Sequence, residues 1–190
     1  MIRGIIFDCF GVLYEGSLST LTNLCPPDKQ QELRDANKSA DYGYIEQDEY
    51  EKIVGELIGK TAPEVRDIRR QKHIRNNELI DFAFSLKSQY KVGMLSNVSR
   101  GGLDGLFSDK ELNDDFDTVV MSWEVGLTKP HPEIFMIAAE KLGLRPEECV
   151  MIDDLITNCE GASVVGMKPI QHISNKLTIK ELDRILGSNA

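Results

Sequence analysis

Short apolar runs that each stop at polar side chains constrain the fold of this chain more than any other feature. Three such runs and their polar ends are Ile5-Ile6-Phe7 before Asp8, Val92 to Leu95 before Ser96-Asn97, and Val150-Met151-Ile152 before Asp153-Asp154. Continuous apolar runs of this length are typical of strands buried on both faces. Helical patterns separate the runs, and strands that alternate with helices form parallel sheets. We therefore predict an α/β fold with a parallel sheet flanked by helices.

The segment from Glu15 to Ile74 has a different pattern. It is richer in charged residues and contains few strand-like runs. Helical spacing extends from Glu46 to Leu57, and Ala62-Pro63 is typical of a helix start. We expect this segment to form a small, all-helical insert in the α/β unit.

The polar residues that follow the apolar runs should meet in space. Ligands of parallel α/β sheets bind beyond the carboxyl ends of the strands, at one edge. Asp8, Ser96 and Asp153-Asp154 all follow strand-like runs, so we expect them at that edge although they are far apart in the chain. Taken singly, each has an ordinary explanation as a helix cap or turn residue. Their shared position favours a functional site.

Such a set of residues suits phosphoryl transfer. A carboxylate can attack phosphorus, and the charge on the transferring group requires a metal ion, a cation and hydrogen-bond donors. Asp8 and Asp153 could hold Mg²⁺, which prefers carboxylate oxygens. Lys129 could hold the nucleophile and the phosphoryl charge, and Ser96 could donate a hydrogen bond.

Four segments of the chain resemble the motifs of the haloacid dehalogenase superfamily, in order. They are IIFDCFGVL (Ile5 to Leu13), MLSN (Met94 to Asn97), GLTKPHPEIF (Gly126 to Phe135) and VMIDD (Val150 to Asp154), the last continuing through Asn158, Gly161-Ala162 and Gly166-Met167. The resemblance implies a hydrolase with a Rossmann-like core formed by residues 1–14 and 76–190. It also implies that residues 15–75 are the helical cap that covers the site and selects the substrate.

The same resemblance implies a role for each site residue. Asp8 takes the position of the nucleophile and Lys129 that of the catalytic lysine. Ser96 and Asn97 take substrate-binding positions. The expected Mg²⁺ ligands are Asp8, the backbone carbonyl of Phe10, Asp153 and Asp154.

Phe10 departs from the pattern of the phosphatases that this chain resembles. Those enzymes usually carry a second Asp there, which protonates the leaving group and later activates water; a phenyl ring can do neither. An aromatic residue at this position resembles the pattern of the true dehalogenases. The fourth motif of those enzymes, however, tends to lack the acidic pair that Asp153 and Asp154 form here. Three alternatives stay open: a Mg²⁺-dependent phosphohydrolase or phosphotransferase, a 2-haloacid dehalogenase-like enzyme, and a catalytically weak binding or regulatory member. For the first, we expect slow turnover biased towards activated phosphates, unless the cap or the substrate supplies the proton.

The amino-acid composition limits the classes of molecule that this chain is expected to bind. A formal net charge of −9 is unfavourable for nucleic-acid binding and for adhesion to anionic membranes, and no apolar run is long enough to span a bilayer. The four cysteines lack metal-site or redox spacing, and we expect them to be reduced thiols of a cytoplasmic protein. The expected partner is a small, phosphorylated molecule, and the sequence does not determine the oligomeric state.

Overall fold

A parallel sheet of five strands forms the centre of the protein. The computed structural model describes residues 1–187. The strands are β1 (Gly4–Phe7), β2 (Lys91–Ser96), β3 (Thr118–Met121), β4 (Cys149–Asp153) and β5 (Lys168–Gln171). They lie in the order β3-β2-β1-β4-β5, and every neighbouring pair is parallel. This is the Rossmann-like α/β sheet that the sequence predicts.

The strand register places the polar strand ends side by side. Phe7 lies opposite Met94 on β2 and opposite Ile152 on β4. One residue further along, Asp8 is therefore level with Asp153. The chain leaves β1 towards β2 and β3 on one side and returns to β4 on the other, so the strand order reverses beside β1. A crevice at such a reversal is where ligands bind in open α/β sheets.

Helices cover both faces of the sheet because alternate strand residues point to opposite faces. Ile5 and Phe7 belong to one hydrophobic cluster, and Ile6 belongs to the other. Helices α5 (Asn77–Ser85) and α9 (Asn175–Gly187) pack on the first cluster, through residues such as Leu79 and Leu182. Helices α7 (Pro132–Lys141) and α8 (Ile156–Val164) pack on the second.

Four further helices lie between β1 and α5 in the chain. They are α1 (Leu18–Leu24), α2 (Gln30–Asp41), α3 (Gln47–Ile58) and α4 (Ala62–Lys72). Their buried side chains, among them Leu21, Leu33, Val54 and Val65, form a third hydrophobic cluster of their own. The chain segments that enter and leave this helical insert hydrogen-bond to each other, with the Glu15 amide donating to the Ile74 carbonyl at 2.8 Å.

Most elements agree with the sequence pattern, and the differences concern short helices. Pro26-Pro27, which the sequence pattern also indicates as a helix start, precedes only a single 3₁₀ turn, Pro27–Lys29, and α2 begins at Gln30. The sequence did not predict α1 or the one-turn helix α6 (Ser122–Val125). Neither helix has a side-chain hydrogen bond at its N-cap, although Ser17 occupies that position in α1, and both helices are short. In the described part of the chain, no helix has the length and apolar character needed to cross a membrane.

Candidate active site

Lys129 lies at the centre of the predicted site and joins two of its carboxylates. Its ammonium group is 2.8 Å from Asp8 Oδ1 and donates to Asp153 Oδ2 at 2.6 Å. Burial lowers the pKa of Lys129, but the charges of Asp8 and Asp153 outweigh it, so the net pKa is raised and the lysine stays charged. The structure therefore brings these three predicted residues into direct contact.

The Asp8 carboxylate has one engaged oxygen and one free oxygen. Oδ1 accepts hydrogen bonds from the Cys9 amide at 2.7 Å and from Lys129. Among the described residues, none donates to Oδ2. Burial, together with the charges of Asp153 and Asp154, raises the pKa of Asp8 to about 8 against the attraction of Lys129. Asp8 thus has an oxygen free for attack, but its anionic form needs more positive charge than Lys129 supplies.

Asp153 is held from three directions. Besides Lys129 on Oδ2, its Oδ1 accepts from the Leu155 amide at 3.0 Å and from Asn158 Nδ2 at 2.9 Å. Asp153 is fully buried, and its partner Asn158, in the first turn of α8, is buried as well. A buried carboxylate costs free energy unless its oxygens are paired, and these donors both satisfy it and fix its orientation.

Asp154 approaches the same place from the loop after β4. A ligand oxygen from each of Asp8, Asp153 and Asp154 lies within 4.8 Å of the other two. Gly11 makes the approach possible, because a Cβ atom at that position would lie 2.4 Å from the Asp154 carboxyl carbon. Gly11 also has a backbone φ of +90°, a conformation that residues with side chains rarely adopt. Burial and the neighbouring Asp153 raise the pKa of Asp154.

The three carboxylates fit a hard divalent cation. One ammonium group faces three carboxylates, so negative charge is left uncompensated in a buried place. Oxygen ligands at this separation are the kind that Mg²⁺ takes. The carbonyl oxygen of Phe10, the fourth predicted ligand, accepts no backbone hydrogen bond from the described residues and is available to a cation.

Ser96 and Asn97, both predicted to bind substrate, are placed differently. Ser96 is fully buried, and its hydroxyl oxygen has no hydrogen-bond partner in the described chain. Such an unpaired buried group costs about 1–3 kcal/mol unless a ligand satisfies it. Asn97 instead uses both ends of its amide on the backbone of Lys129, at 2.8 and 2.9 Å. Asn97 therefore positions the lysine; it also lines the cavity above the site, so its role in substrate binding stays a prediction.

A cavity of about 920 Å³ opens above these residues. Asp8, Lys129 and Asp154 line it from the sheet edge, and the helical insert lines the other side. Phe10 also faces this cavity, and its ring lies 4.9 Å from the ring of His73, centroid to centroid. The insert thus forms a wall of the site. No sequence motif marks the insert residues that line the cavity, such as Asp41 and Arg69.

A close helix packing supports the lysine loop. A Cβ atom at Gly161 on α8 would lie 2.5 Å from the carbonyl oxygen of Pro130, the residue after Lys129. The absence of a side chain at Gly161 therefore lets α8 pack against this loop. This explains why the Gly161-Ala162 pair accompanies the acidic motif in the sequence.

Comparison with known proteins identifies the family. The family model described as "Hydrolase: haloacid dehalogenase-like hydrolase" matches residues 2–166. D-ribitol-5-phosphate phosphatase of Bacteroides thetaiotaomicron is 27% identical over 99% of this chain and 100% of its own length. Putative phosphatase YhcW of Bacillus subtilis is 32% identical over 53% of this chain. Acyl-CoA dehydrogenase family member 10 of Mus musculus is 38% identical over 38% of this chain. The matched stretches span only 47% and 7% of those two proteins.

Solved structures agree with this assignment. A protein from Porphyromonas gingivalis described as a predicted HAD-like family hydrolase superposes with a TM-score of 0.79 and 26% identity, covering 98% of both chains. A HAD family enzyme from Bacteroides thetaiotaomicron, solved in complex with magnesium and inorganic phosphate, superposes with a TM-score of 0.74 and 22% identity. The superposition covers 92% of this chain and 96% of that enzyme, and at this identity it shows a similar fold. With the family match spanning most of the chain, the chain belongs to the haloacid dehalogenase-like hydrolase family.

Proposed function

We propose that this hydrolase is a Mg²⁺-dependent phosphohydrolase that acts on a small phosphorylated metabolite, with Asp8 as its nucleophile. The cluster of Asp8, Asp153 and Asp154 around a single lysine carries this proposal. A dehalogenase attacking carbon needs no cation, and three carboxylates in one buried place would then be an uncompensated cost. The phosphatase relative that matches the full length of the chain, and the magnesium and phosphate bound by a structural neighbour, support the same choice.

The proposed cation ligands are Asp8, Asp153, Asp154 and the carbonyl oxygen of Phe10. Bound there, Mg²⁺ supplies the positive charge that keeps Asp8 ionised and that stabilises the oxygens of the phosphoryl group. We assign the helical insert, residues 15–75, as the cap of residues 1–14 and 76–190, because it has its own hydrophobic cluster and lines the opposite wall of the cavity.

The chain's own groups then account for the first half of the reaction. Asp8 Oδ2, free of hydrogen bonds, attacks phosphorus, while Oδ1 stays held by the Cys9 amide and Lys129. Lys129 also neutralises part of the charge on the reacting group. The unpaired hydroxyl of Ser96 donates to a phosphoryl oxygen, which gives this buried group the partner it lacks. The bond from phosphorus to the leaving oxygen breaks and the alcohol leaves, so that an aspartyl-phosphate forms on Asp8. In the second half, water attacks this phosphorus, the bond to Asp8 breaks, and inorganic phosphate leaves.

A substrate screen tests this function. Phosphomonoesters, among them D-ribitol 5-phosphate and para-nitrophenyl phosphate, and 2-haloacids are each incubated with the purified protein in Mg²⁺ and in chelator. We expect phosphate release that requires Mg²⁺, and no halide release. Halide release that persists in chelator would overturn the proposal in favour of the dehalogenase-like alternative. Absence of turnover on every substrate would favour a binding or regulatory member.

A further inference from the structure

With Phe10 at the usual position of the acid, no sheet-side group of the cavity in the described chain is left to donate a proton, because Asp8, Lys129 and Asp154 are already assigned to attack, charge balance and cation binding. An alkoxide leaves phosphorus poorly unless it is protonated as the bond breaks. Any replacement must carry an exchangeable proton and face the same cavity as Asp8. The side chains with titratable groups there that come from the helical insert are Glu15, Asp41, Tyr50, Arg69 and His73.

Four of these five are poorly suited to donate a proton. Arg69 is always charged and forms an ion pair with buried Glu51 at 3.3 Å. Burial raises the pKa of Tyr50 to about 12, and its hydroxyl already donates to Asn37. Burial and the charge of Arg69 lower the pKa of His73 to about 4, so it holds no acidic proton at neutral pH. Glu15 is exposed to solvent.

Asp41, the fifth of these residues, is better placed to donate a proton. It is the last residue of α2, and it lines both the large cavity with Asp8 and Lys129 and a smaller one of about 420 Å³ with Asn97 and Lys129. Burial raises the pKa of Asp41 to about 7, while the nearby charges of Arg69 and Lys129 oppose that rise. A carboxyl of this kind exists in both protonation states near neutral pH.

The end of α2 is fixed to the loop that positions Lys129. The carbonyl oxygen of Asp41 accepts from Ser122 Oγ at 2.5 Å, and that hydroxyl accepts from the Val98 amide at 2.9 Å. Val98 directly follows Asn97, which holds the Lys129 backbone. Buried Ser122 therefore ties the insert to the catalytic loop at the residue that faces the cavity.

The Asp41 carboxyl is oriented from one side and open on the other. Asn37 Nδ2 donates to Asp41 Oδ2 at 3.0 Å, and the Tyr50 hydroxyl donates to Asn37 Oδ1 at 3.3 Å. No other hydrogen bond reaches this carboxyl from the described side chains, so Oδ1 is open to a ligand. A titratable group held by a second residue that is itself held by a third is the arrangement of an oriented acid or base.

We propose that Asp41 is the general acid and base of this enzyme and replaces the carboxylate that Phe10 displaces. The inference rests on the proposed phosphohydrolase function. In the first step the Asp8 oxygen bonds to phosphorus, the bond from phosphorus to the leaving oxygen breaks, and that oxygen takes the proton of Asp41 to leave as an alcohol. In the second step the Asp41 carboxylate takes a proton from water, the water oxygen bonds to phosphorus, and the bond to Asp8 breaks. Phosphate leaves, and both side chains return to their starting states.

The dependence of activity on the leaving group tests the proposal. The rates of wild type and Asp41→Asn are measured with Mg²⁺ on glycerol phosphate and D-ribitol 5-phosphate, whose alkoxides need protonation, and on para-nitrophenyl phosphate, whose phenolate leaves unaided. We expect Asp41→Asn to lower kcat on the alkyl phosphates by about 10²–10⁴-fold. The loss on the aryl phosphate should be clearly smaller in the bond-breaking step, followed as the single-turnover burst of phenolate. Asp41→Glu should restore part of the alkyl activity.

Two controls separate this inference from a structural effect and from the proposed function. Asp35→Asn, on the exposed face of the same helix, removes a charge outside the cavity and should keep wild-type rates. Equal losses on both substrate types, or no loss, would overturn the role of Asp41 and leave the phosphohydrolase function standing. Wild type that turns over neither type overturns the proposed function and this inference with it.

Discussion

The edge of the sheet and the helical insert both place buried carboxylates near cations, but they balance these charges differently. In the insert, Glu51 is almost completely buried and is paired with Arg66 at 2.7 Å and Arg69 at 3.3 Å. At the sheet edge, Lys129 alone faces three carboxylates. Balanced charges of the first kind stabilise a fold, whereas the excess negative charge of the second fits the cation that we propose. The contrast indicates that the charges of the insert mainly stabilise its fold, whereas those of the sheet edge suit the proposed chemistry.

Replacing the proposed nucleophile should give the largest effect on activity. Asp8→Asn removes the attacking oxygen anion, since an amide is a poor nucleophile. We expect phosphatase turnover to fall by more than about 10³-fold, as for other nucleophile deletions. The midpoint of urea unfolding should not fall, because the substitution relieves crowding among the three carboxylates. A variant that retains most of its activity would show that Asp8 is not the attacking group.

Removing the buried acid of the insert should instead act on stability. Glu51→Ala leaves Arg69 largely buried without its partner, which typically costs about 3–5 kcal/mol. The free energy of unfolding, measured by urea titration with circular dichroism, should fall by that amount. Asp48→Ala is the matched control, because Asp48 pairs with Arg66 while remaining 88% exposed, and such pairs contribute about 0–1 kcal/mol. Equal effects of the two variants would remove the distinction drawn between buried and exposed pairs.

The metal site gives the next effect in size. Asp153→Asn removes one negative ligand while keeping a side chain that accepts the hydrogen bonds of Leu155 and Asn158. We expect titration calorimetry to show Mg²⁺ affinity lower by at least the 10–100-fold typical of a lost supporting contact. Asp35→Asn serves again as the surface control. Unchanged affinity in Asp153→Asn would exclude the proposed ligand set.

Asp41 offers a smaller effect with a defined pH dependence. Its pKa rises from 3.8 to about 7 on folding, so the folded state prefers the neutral form. The contribution of Asp41 to stability should therefore fall as pH rises between about 4 and 7, and the difference in stability between wild type and Asp41→Asn isolates it from the other carboxyls whose pKa is raised. The groups that face it are Arg69 on α4, Tyr50 on α3 and Lys129.

We expect Asp41→Asn to be more stable than wild type by about 1 kcal/mol at pH 8, a value reduced for partial solvent exposure. The gain should shrink at pH 5 and vanish near pH 4. Thermal unfolding of both proteins in chelator across this range measures it. A variant less stable than wild type at pH 8 would mean that Asp41 holds the insert in place, as Glu51 does, and would weaken its assignment to chemistry.

The two regions also differ in how far the sequence predicts them. Asp8, Ser96 and Asp153 follow apolar strands, and the ends of adjacent parallel strands must meet, so their convergence could be predicted from pattern alone. Lys129 was predicted only through the resemblance of its motif. The sequence did not predict that the amide of Asn97 holds the backbone of Lys129, and its role in substrate binding stays a prediction.

Asp41 could not be predicted, because nothing in the local pattern of α2 marks its last residue as facing the sheet. Its position depends on how the helices of the insert pack and on the contact with Ser122, which lies 81 residues away in the chain. Helix amphipathicity identifies which residues of an insert are buried, but not what they face. The expected lack of a general acid was therefore an inference from one motif position, and the proton donor proposed here lies outside every motif.

Trapping the covalent intermediate tests the central claim most directly. Wild-type protein is mixed with substrate and Mg²⁺, quenched in acid within the first turnovers, digested and analysed by mass spectrometry. We predict a phosphoryl group on the peptide that contains Asp8 and none on that peptide in Asp8→Asn. Turnover in heavy-oxygen water should label the released phosphate and leave the Asp8 carboxylate unlabelled. Turnover without phosphorylation of that peptide, or heavy oxygen in Asp8 itself, would contradict the account.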